Sequence, residues 1–478
     1  MKIFNLALTI IALIFLSNAI VTNVKAQSSR LFTVNDVGDS FDANIGDRLC
    51  ADANGKCTLR AAIQESNACC SAVVNFNLPL PSVINLTLGE LHITRWISIV
   101  GPGSKSLTIQ RSAAPGTPNF RVFHLTTSIS WKSLLRGFRI KNGNANVGGG
   151  IYLESEGTVL FLSDVAVSNN TAARGGGIFN EGELSLTRSL INSNSTGGAT
   201  GAGGGLYNSG TQSLAYIVNS TVTENATATG GAIFNEGNLL LINDTVSHNT
   251  ASASAGSVVN AAGATANVLN TIIGMDNSPT GSLSGAFNSL GSNLITDARG
   301  GSGFTNGVNG DQVSDNNAVN PLLAPLADNG GETETRALLA GSPAINKGNN
   351  CITNVTCPSP VPSQSGFKLT IDQRTSRRVS DAVIDVGAVE SSAPVLTQNG
   401  VLGTYYINPR LGGCLMILTN AATNEKRYRT TNPYGNYEFN GLSANASTAY
   451  IVETQCKRTG NNSAWVLDFD SYPLSYPF

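Results

Sequence analysis

Charge is scarce in this chain. Of its 478 residues only 13% are charged, about half the share usual in globular domains, and the net charge is −2. That balance provides no broad basic field to gather nucleic acid or an anionic membrane surface. Histidine is rarer still: His92, His124 and His248 lie far apart in sequence, which leaves little material for a histidine metal site, and no cofactor is expected. With 17 prolines the chain is neither collagen-like nor a proline-rich disordered segment. Beyond the first twenty residues no apolar run is long enough to span a bilayer, so no integral membrane segment is expected in the mature chain. Long helical periodicities are missing as well. What the sequence does have is glycine, 51 residues, and 41% hydrophobic content, enough for a sizeable core.

The N-terminus has the pattern of a secretory signal over residues 1–26. Lys2 is basic, Phe4 to Ile20 is almost wholly apolar, and Val24-Lys25-Ala26 places small side chains where cleavage before Gln27 needs them. A secreted or cell-surface location follows as the expectation. All eight cysteines fall after that point, and none forms a CxxC pair or sits beside a histidine, so disulfides are expected rather than a metal. Cys50 and Cys57 are close in sequence, as are Cys351 and Cys357; Cys414 and Cys456 share the last segment; the pairing of the adjacent Cys69 and Cys70 is open.

Internal repetition is the strongest signal. Gly148-Gly149-Gly150-Ile151 recurs as Gly175-Gly176-Gly177-Ile178, Gly203-Gly204-Gly205-Leu206 and Gly230-Gly231-Ala232-Ile233. Between these blocks lie short apolar runs bounded by Gly, Asn and Ser, which suits strands joined by turns and one coil of a parallel β-helix per block. Asn170, Asn194, Asn225 and Asn249 share one phase, and Asn180, Asn208, Asn235 and Asn260 another. Stacked Asn side chains can hydrogen-bond from coil to coil and satisfy buried turns. The expected fold is all-β: a parallel β-helix over residues 72–295, a short N-terminal capping helix near 57–68 within a cap of 27–71, a closing region at 296–392 and a C-terminal β-sandwich at 393–478.

Three segments also resemble known families. Cys57-Thr58-Leu59-Arg60-Ala61-Ala62, with Cys50 and an acidic lead-in before it, resembles the extracellular CSLREA module over about 31–75, departing from it at Thr58 and Ala61. Asn320-Pro321-Leu322-Leu323, Gly341-Ser342-Pro343-Ala344-Ile345, Asp372-Gln373-Arg374 and Asp385-Val386-Gly387-Ala388-Val389-Glu390 together resemble the choice-of-anchor Q region of secreted bacterial proteins, over about 285–391. Thr430-Thr431-Asn432-Pro433-Tyr434-Gly435-Asn436-Tyr437 resembles carboxypeptidase regulatory-like domains, which are transthyretin-like β-sandwiches without peptidase activity. The resemblance implies a right-handed, pectin lyase-like β-helix on an exported bacterial surface protein.

Chemistry is harder to find. A glycosidase needs two carboxylates roughly 5–10 Å apart, hence acids in phase on adjacent coils. The acids that recur, Asp164 with Asp244 and Glu181 with Glu236, are two or more coils apart. No catalytic residue is therefore assigned, and a carbohydrate-active enzyme is the alternative to a non-catalytic role. Asp36, Asp39 and Asp42, with Asn44 and Asp47, offer oxygen donors suited to calcium but lack the EF-hand spacing. Tyr152, Phe179, Tyr207 and Phe234 each follow a glycine block, and strand alternation turns them outward as a ring stripe that could stack on the sugars of a surface polysaccharide. The competing reading is a ladder covered by a loop. Adhesion or glycan binding, to polysaccharide or other cell-surface components, is the expected role.

Overall fold

The structure, a computed structural model, describes residues 30–126, 132–198, 200–361, 369–378 and 383–391, together with the strand backbones Leu415–Asn420, Lys426–Thr430, Tyr450–Gln455 and Tyr472–Leu474. The signal segment lies outside these residues, as do Cys414, Cys456 and most of the expected β-sandwich.

Each repeat makes one coil of a parallel β-solenoid. A full coil reads Val159–Ser163, Ala166–Ser168, Thr171–Arg174 and Ile178–Asn180. Stacked coils build faces A, B and C, parallel sheets of ten, ten and nine strands, while the short third strand adds a five-stranded face D between B and C. Register is kept from coil to coil, as in Leu160↔Leu184↔Ala215↔Leu239. One side of each strand therefore always faces inward, and Ile140, Val167, Ile191, Val222 and Val246 on face B meet Ile151, Ile178, Leu206 and Ile233 on face C in one core.

The turns explain the repeat's letters. A Cβ at Gly176 would stand 2.3 Å from the Ser195 carbonyl oxygen and 2.5 Å from that of Gly204, so backbone packs on backbone where the chain bends from face D into face C. Both Asn ladders form inside. Asn180 donates to Asn208, Asn208 to Asn235 and Asn235 to Asn260, each at 2.7 Å. Between faces A and B the chain turns through single residues with positive φ: Asp164, Arg188, Asn219, Asn243 and Asn270. Asp164 thus corresponds to Asn243, and Asp244 sits one position later, so the two acids that sequence placed in phase are not.

Two expectations about the ends need correction. The solenoid begins at Arg30–Val34, which pairs in parallel with Ala72–Phe76, rather than near Ala72. A long excursion separates the pair and holds the helix Leu59–Cys69, whose first turn is capped by Thr58 Oγ1 accepting from the Ala61 amide at 3.1 Å. Leu59, Ala62 and Ile63 of that helix enter the common core. The expected pairs Cys50–Cys57 and Cys351–Cys357 are bonded, and Cys69 is bonded to Cys70. Farther on, the last four strand backbones form an antiparallel sheet.

The closing region does two things: its first part adds the last strands, Gly301–Ser302 and Gln312–Val313, to faces C and B and lays Phe304 and Val313 on the end of the core, and the rest runs back along the flank as a strap. Leu323 and Leu338 pack at its root against Ile272 and Leu294, while an antiparallel arm, bridged at Leu323↔Leu338 and Ala327↔Thr335, reaches Lys105 many coils earlier. The docking points explain why: the positive-φ corners present polar groups that only a second layer can satisfy. Asn219 donates to the Ile371 carbonyl at 2.8 Å and accepts from Arg378, and Asn270 accepts from the Asn349 amide at 2.6 Å. Gln373, from the Asp372-Gln373-Arg374 motif, accepts from Thr221 and donates to the Ser189 carbonyl and Thr333.

The seat of the strap is a buried ion cluster. Arg378 and Glu390 are both 0% exposed, with Asp372, Asp385 and Asp244 around them. Burial, against the pull of Arg378, pushes the Glu390 carboxyl up to about 8. A group whose pKa is raised on folding contributes stability that is complete below its unfolded value and lost as pH rises through the folded one. The melting temperature is therefore expected to fall between about pH 5 and pH 8, and Glu390→Gln should flatten that slope. Parallel slopes for the two proteins would contradict a shared proton at this seat.

Candidate functional site

The outward middle residues of face C form a column of rings, stacked from Phe179 to Phe234 and edge-to-face between Tyr152 and Phe179. From Tyr152 to Phe179, Tyr207 and Phe234 the ring centroids are 5.6, 5.1 and 4.9 Å apart. All four residues proposed from sequence are brought together, but the stripe is not open along its length. Phe179 and Tyr207 are each only 5% exposed, and Tyr152 and Phe234 are half-buried. Face D meets face C at an angle, so Val147 and Ala202 pack against the rings and Arg174 lies over Tyr207, 5.8 Å from its centroid. Sequence alternation gives the outward direction of a ring; it does not reveal that a neighbouring face covers it.

Each tyrosine hydroxyl donates to an acid one coil on: Tyr152 to Glu181 at 2.9 Å and Tyr207 to Glu236 at 2.7 Å. Burial, then the neighbouring carboxylate, raises both phenols far above their ordinary value. Glu181 and Glu236 thus serve the column as hydrogen-bond acceptors.

The column continues where the glycine blocks do not. His92 and His124 occupy the same strand position on the two preceding coils, in register with Tyr152. Their rings stack at 4.7 Å, and His124 stacks on Tyr152 at 5.1 Å. The signal for them was the local pattern Leu91-His92-Ile93 and Phe123-His124-Leu125, which matches Ile151-Tyr152-Leu153 once the missing glycines are ignored. Here the column opens at its last ring: His92 is exposed, whereas the His124 side chain is 14% exposed.

Charged groups rim this open end. His124 bonds Glu90 through Nδ1 at 2.8 Å and Glu154 through Nε2 at 2.6 Å. Arg121 pairs with Glu90 at 3.3 Å and lies over the Tyr152 ring at 4.7 Å. His92 Nε2 is 3.0 Å from Thr126 Oγ1. Burial alone would raise the Glu90 carboxyl, but His124 and Arg121 outweigh it and hold Glu90 below its ordinary value. Burial and the neighbouring His124 lower His92. Between the helix Leu59–Cys69 and the first face C strand lies an adjoining depression of about 220 Å³, lined by Arg60, Gln64, Asn67, Glu90 and His92 among others. The third histidine, His248, stands apart beneath Arg336, and burial pushes it down to about 4.

The calcium candidates are dispersed. Asp36 accepts from the Gly38 amide, and Asp39 pairs with Arg60 at 2.7 Å while accepting from the Thr87 and Leu88 amides. Asp42 and Asp47 do come together, with Glu65: among the described residues these three carboxylates lie within 4.8 Å of one another. Backbone amides already satisfy that group, since Asp42 accepts from Asn44 and Ala51 and Glu65 accepts from Gly46 and Arg48. These acids organise the loop that carries the helix, and Asp36 and Asp39 take no part in the group. Asp36, Asp39 and Asp42 are therefore not brought together as one set of oxygen donors.

The chain matches no family model, no curated protein and no solved structure. The resemblances rest on the quoted motifs alone. Among the described residues no helix is long and apolar enough to cross a membrane.

Proposed function

We propose that this is an exported bacterial surface protein that binds a glycan without turning it over, on the open end of the ring column. In this reading the solenoid is right-handed, the helix Leu59–Cys69 caps it, the C-terminal segment is a separate β-sandwich module, and the partner is a polysaccharide at or near a cell surface. One observation carries it: His92, His124 and Tyr152 stack on three successive coils, with Glu90, Glu154 and Arg121 at their rim. The column presents its ring edges, and at its end the outer face of His92, to the apolar side of a sugar, and a rim of carboxylates and guanidinium bonds its hydroxyls.

A glycosidase is the alternative, favoured by two acids on opposite nitrogens of one imidazole. Its general acid needs a raised pKa, however, and Glu90 is held low.

The test is retention on insoluble chitin, cellulose and peptidoglycan. The double variant His92→Ala with Glu154→Gln, which alters the exposed groups of this end, should lose about tenfold or more in affinity with little change in melting temperature. Phe179→Ala should do the reverse, because its ring is covered. Failure of the wild type to bind any of the three, or equal binding by the double variant, would overturn the proposal. Release of reducing sugar by pure protein would favour the enzyme.

A further inference from the structure

A second surface, on the opposite side of the solenoid, is hidden beneath the strap. Lys105, Arg136, Arg139 and Arg188 stand along faces A and B over four coils, three coil steps or about 14 Å. One acid of the solenoid lies among them: Asp164, whose side chain is 4% exposed, pairs with Arg136 at 3.2 Å and Arg188 at 2.9 Å. Among the described residues, four cations thus stand against one acid of the solenoid. The tip of the strap's arm brings three acids to the row. Asp328 pairs with Lys105 at 2.5 Å, Glu334 pairs with Arg139 at 2.8 Å, and Glu332 lies near Arg136, Lys105 and Arg188, where burial and the neighbouring Asp164 outweigh their pull and hold its carboxyl above the ordinary value.

The tip is held almost wholly by polar contacts. Lys105 also donates to the Gly331 carbonyl at 2.8 Å, Ser104 donates to the Glu332 carbonyl, and Thr333 donates to the Arg188 carbonyl at 3.1 Å. No residue from 327 to 336 belongs to a hydrophobic cluster of the described residues, whereas Leu323 and Leu338 anchor the arm's root in one. Gly330 and Gly331 stand at the turn with positive φ. A charged loop on an apolar root can leave its seat while Leu323 and Leu338 stay packed, at the cost of the bonds from Gln373 to Thr333 and the Glu334 carbonyl.

We propose that residues 327–335 mask a cation row that receives an acidic polysaccharide, the three acids of the tip occupying the positions of the polymer's carboxylates. The guanidinium groups suit carboxylates, as Arg139 with Glu334 and Arg188 with Asp164 already demonstrate. The spacing favours a regular polyanion, because cations recur along the axis at multiples of the coil rise. A nucleic acid is the poorer fit, because the chain's net charge is −2.

The experiment compares the full chain with the triple variant Asp328→Asn, Glu332→Gln, Glu334→Gln, using polygalacturonate as probe at low ionic strength. Amide exchange should rise across 327–335 and not in the coils, and affinity for polygalacturonate should increase about tenfold or more. Adding Lys105→Ala and Arg139→Ala should remove that gain. A second variant with 328–334 replaced by a Gly-Ser loop should bind like the triple variant, which guards against a fault peculiar to the three substitutions. The proposal is overturned by a tip that stays protected after neutralisation, by an opened tip with unchanged binding, or by a gain that survives loss of Lys105 and Arg139. Equal gain for single-stranded DNA would overturn the assignment to polysaccharide.

Discussion

Replacing Asn225 with alanine is expected to destabilise the solenoid by about 3–5 kcal/mol, far beyond an ordinary surface change. Asn225 is 0% exposed and serves three coils at once. Its Oδ1 accepts from the Asn194 amide at 3.1 Å and from Asn194 Nδ2 at 3.0 Å. Its Nδ2 donates to the Ile191 carbonyl at 3.0 Å and to Asn249 Oδ1 at 3.1 Å. Alanine would leave the buried Asn194 amide without its acceptor and the Ile191 carbonyl without this donor, while Asn194 Nδ2 keeps the Val167 carbonyl and Asn249 Oδ1 keeps the Asn225 amide; each group left unpaired in a site closed to bulk water costs about 1–3 kcal/mol. Hydrogen exchange should show protection lost in the coils on both sides, from about Leu190 to Asn249. A melting temperature within error of wild type, or exchange confined to the Asn225 turn, would contradict a ladder that carries load between coils.

The second large effect is expected from Arg378→Ala, at about 3–5 kcal/mol. Arg378 Nε and Nη2 donate to Asn219 Oδ1 at 3.0 and 2.6 Å, and Nη2 also donates to the Gly387 carbonyl at 2.9 Å. Its Nη1 lies 3.8 Å from Glu390. Removing the guanidinium leaves buried Glu390, Asp372 and Asp385 without their shared cation. The loss should be greatest above pH 8, where Glu390 is ionised. Its location should be specific: amides of 342–391 exchange faster while the Asn ladders keep their protection. Arg378→Lys keeps the charge but not the fork, and should recover only part of the loss. Unaltered exchange in the strap would show that this cation does not hold it.

Much of the fold was legible because a solenoid writes its period into the chain. The glycine blocks mark the bends from face D to face C, and the two Asn phases mark turns whose partners are copies of themselves. Residues without such copies were harder to place. His92 and His124 belong to the ring column, but their coils lack the glycine triplet, so no repeat search joins them to Tyr152. The first strand, Arg30–Val34, is cut off from its neighbour by the excursion that carries the helix. Phe179 was correctly turned outward yet is covered, because the angle between two faces is a tertiary property. The strap was recognisable as motifs, but its direction depends on polar side chains at corners such as Asn219 and Asn270, which only a folded solenoid brings into line.

The strap also changes how the array must come apart. A bare stack of repeats is a one-dimensional chain of nearest-neighbour couplings, and it frays from whichever end is weaker. Here one segment is bonded at once to Lys105, Arg139, Thr221, Asn270 and Leu294. Losing a coil at the end therefore strains bonds far from that end, and coils that share no contact become thermodynamically dependent on one another. The array is tied lengthwise, so its cooperative unit is set by the reach of the strap rather than by the size of a repeat.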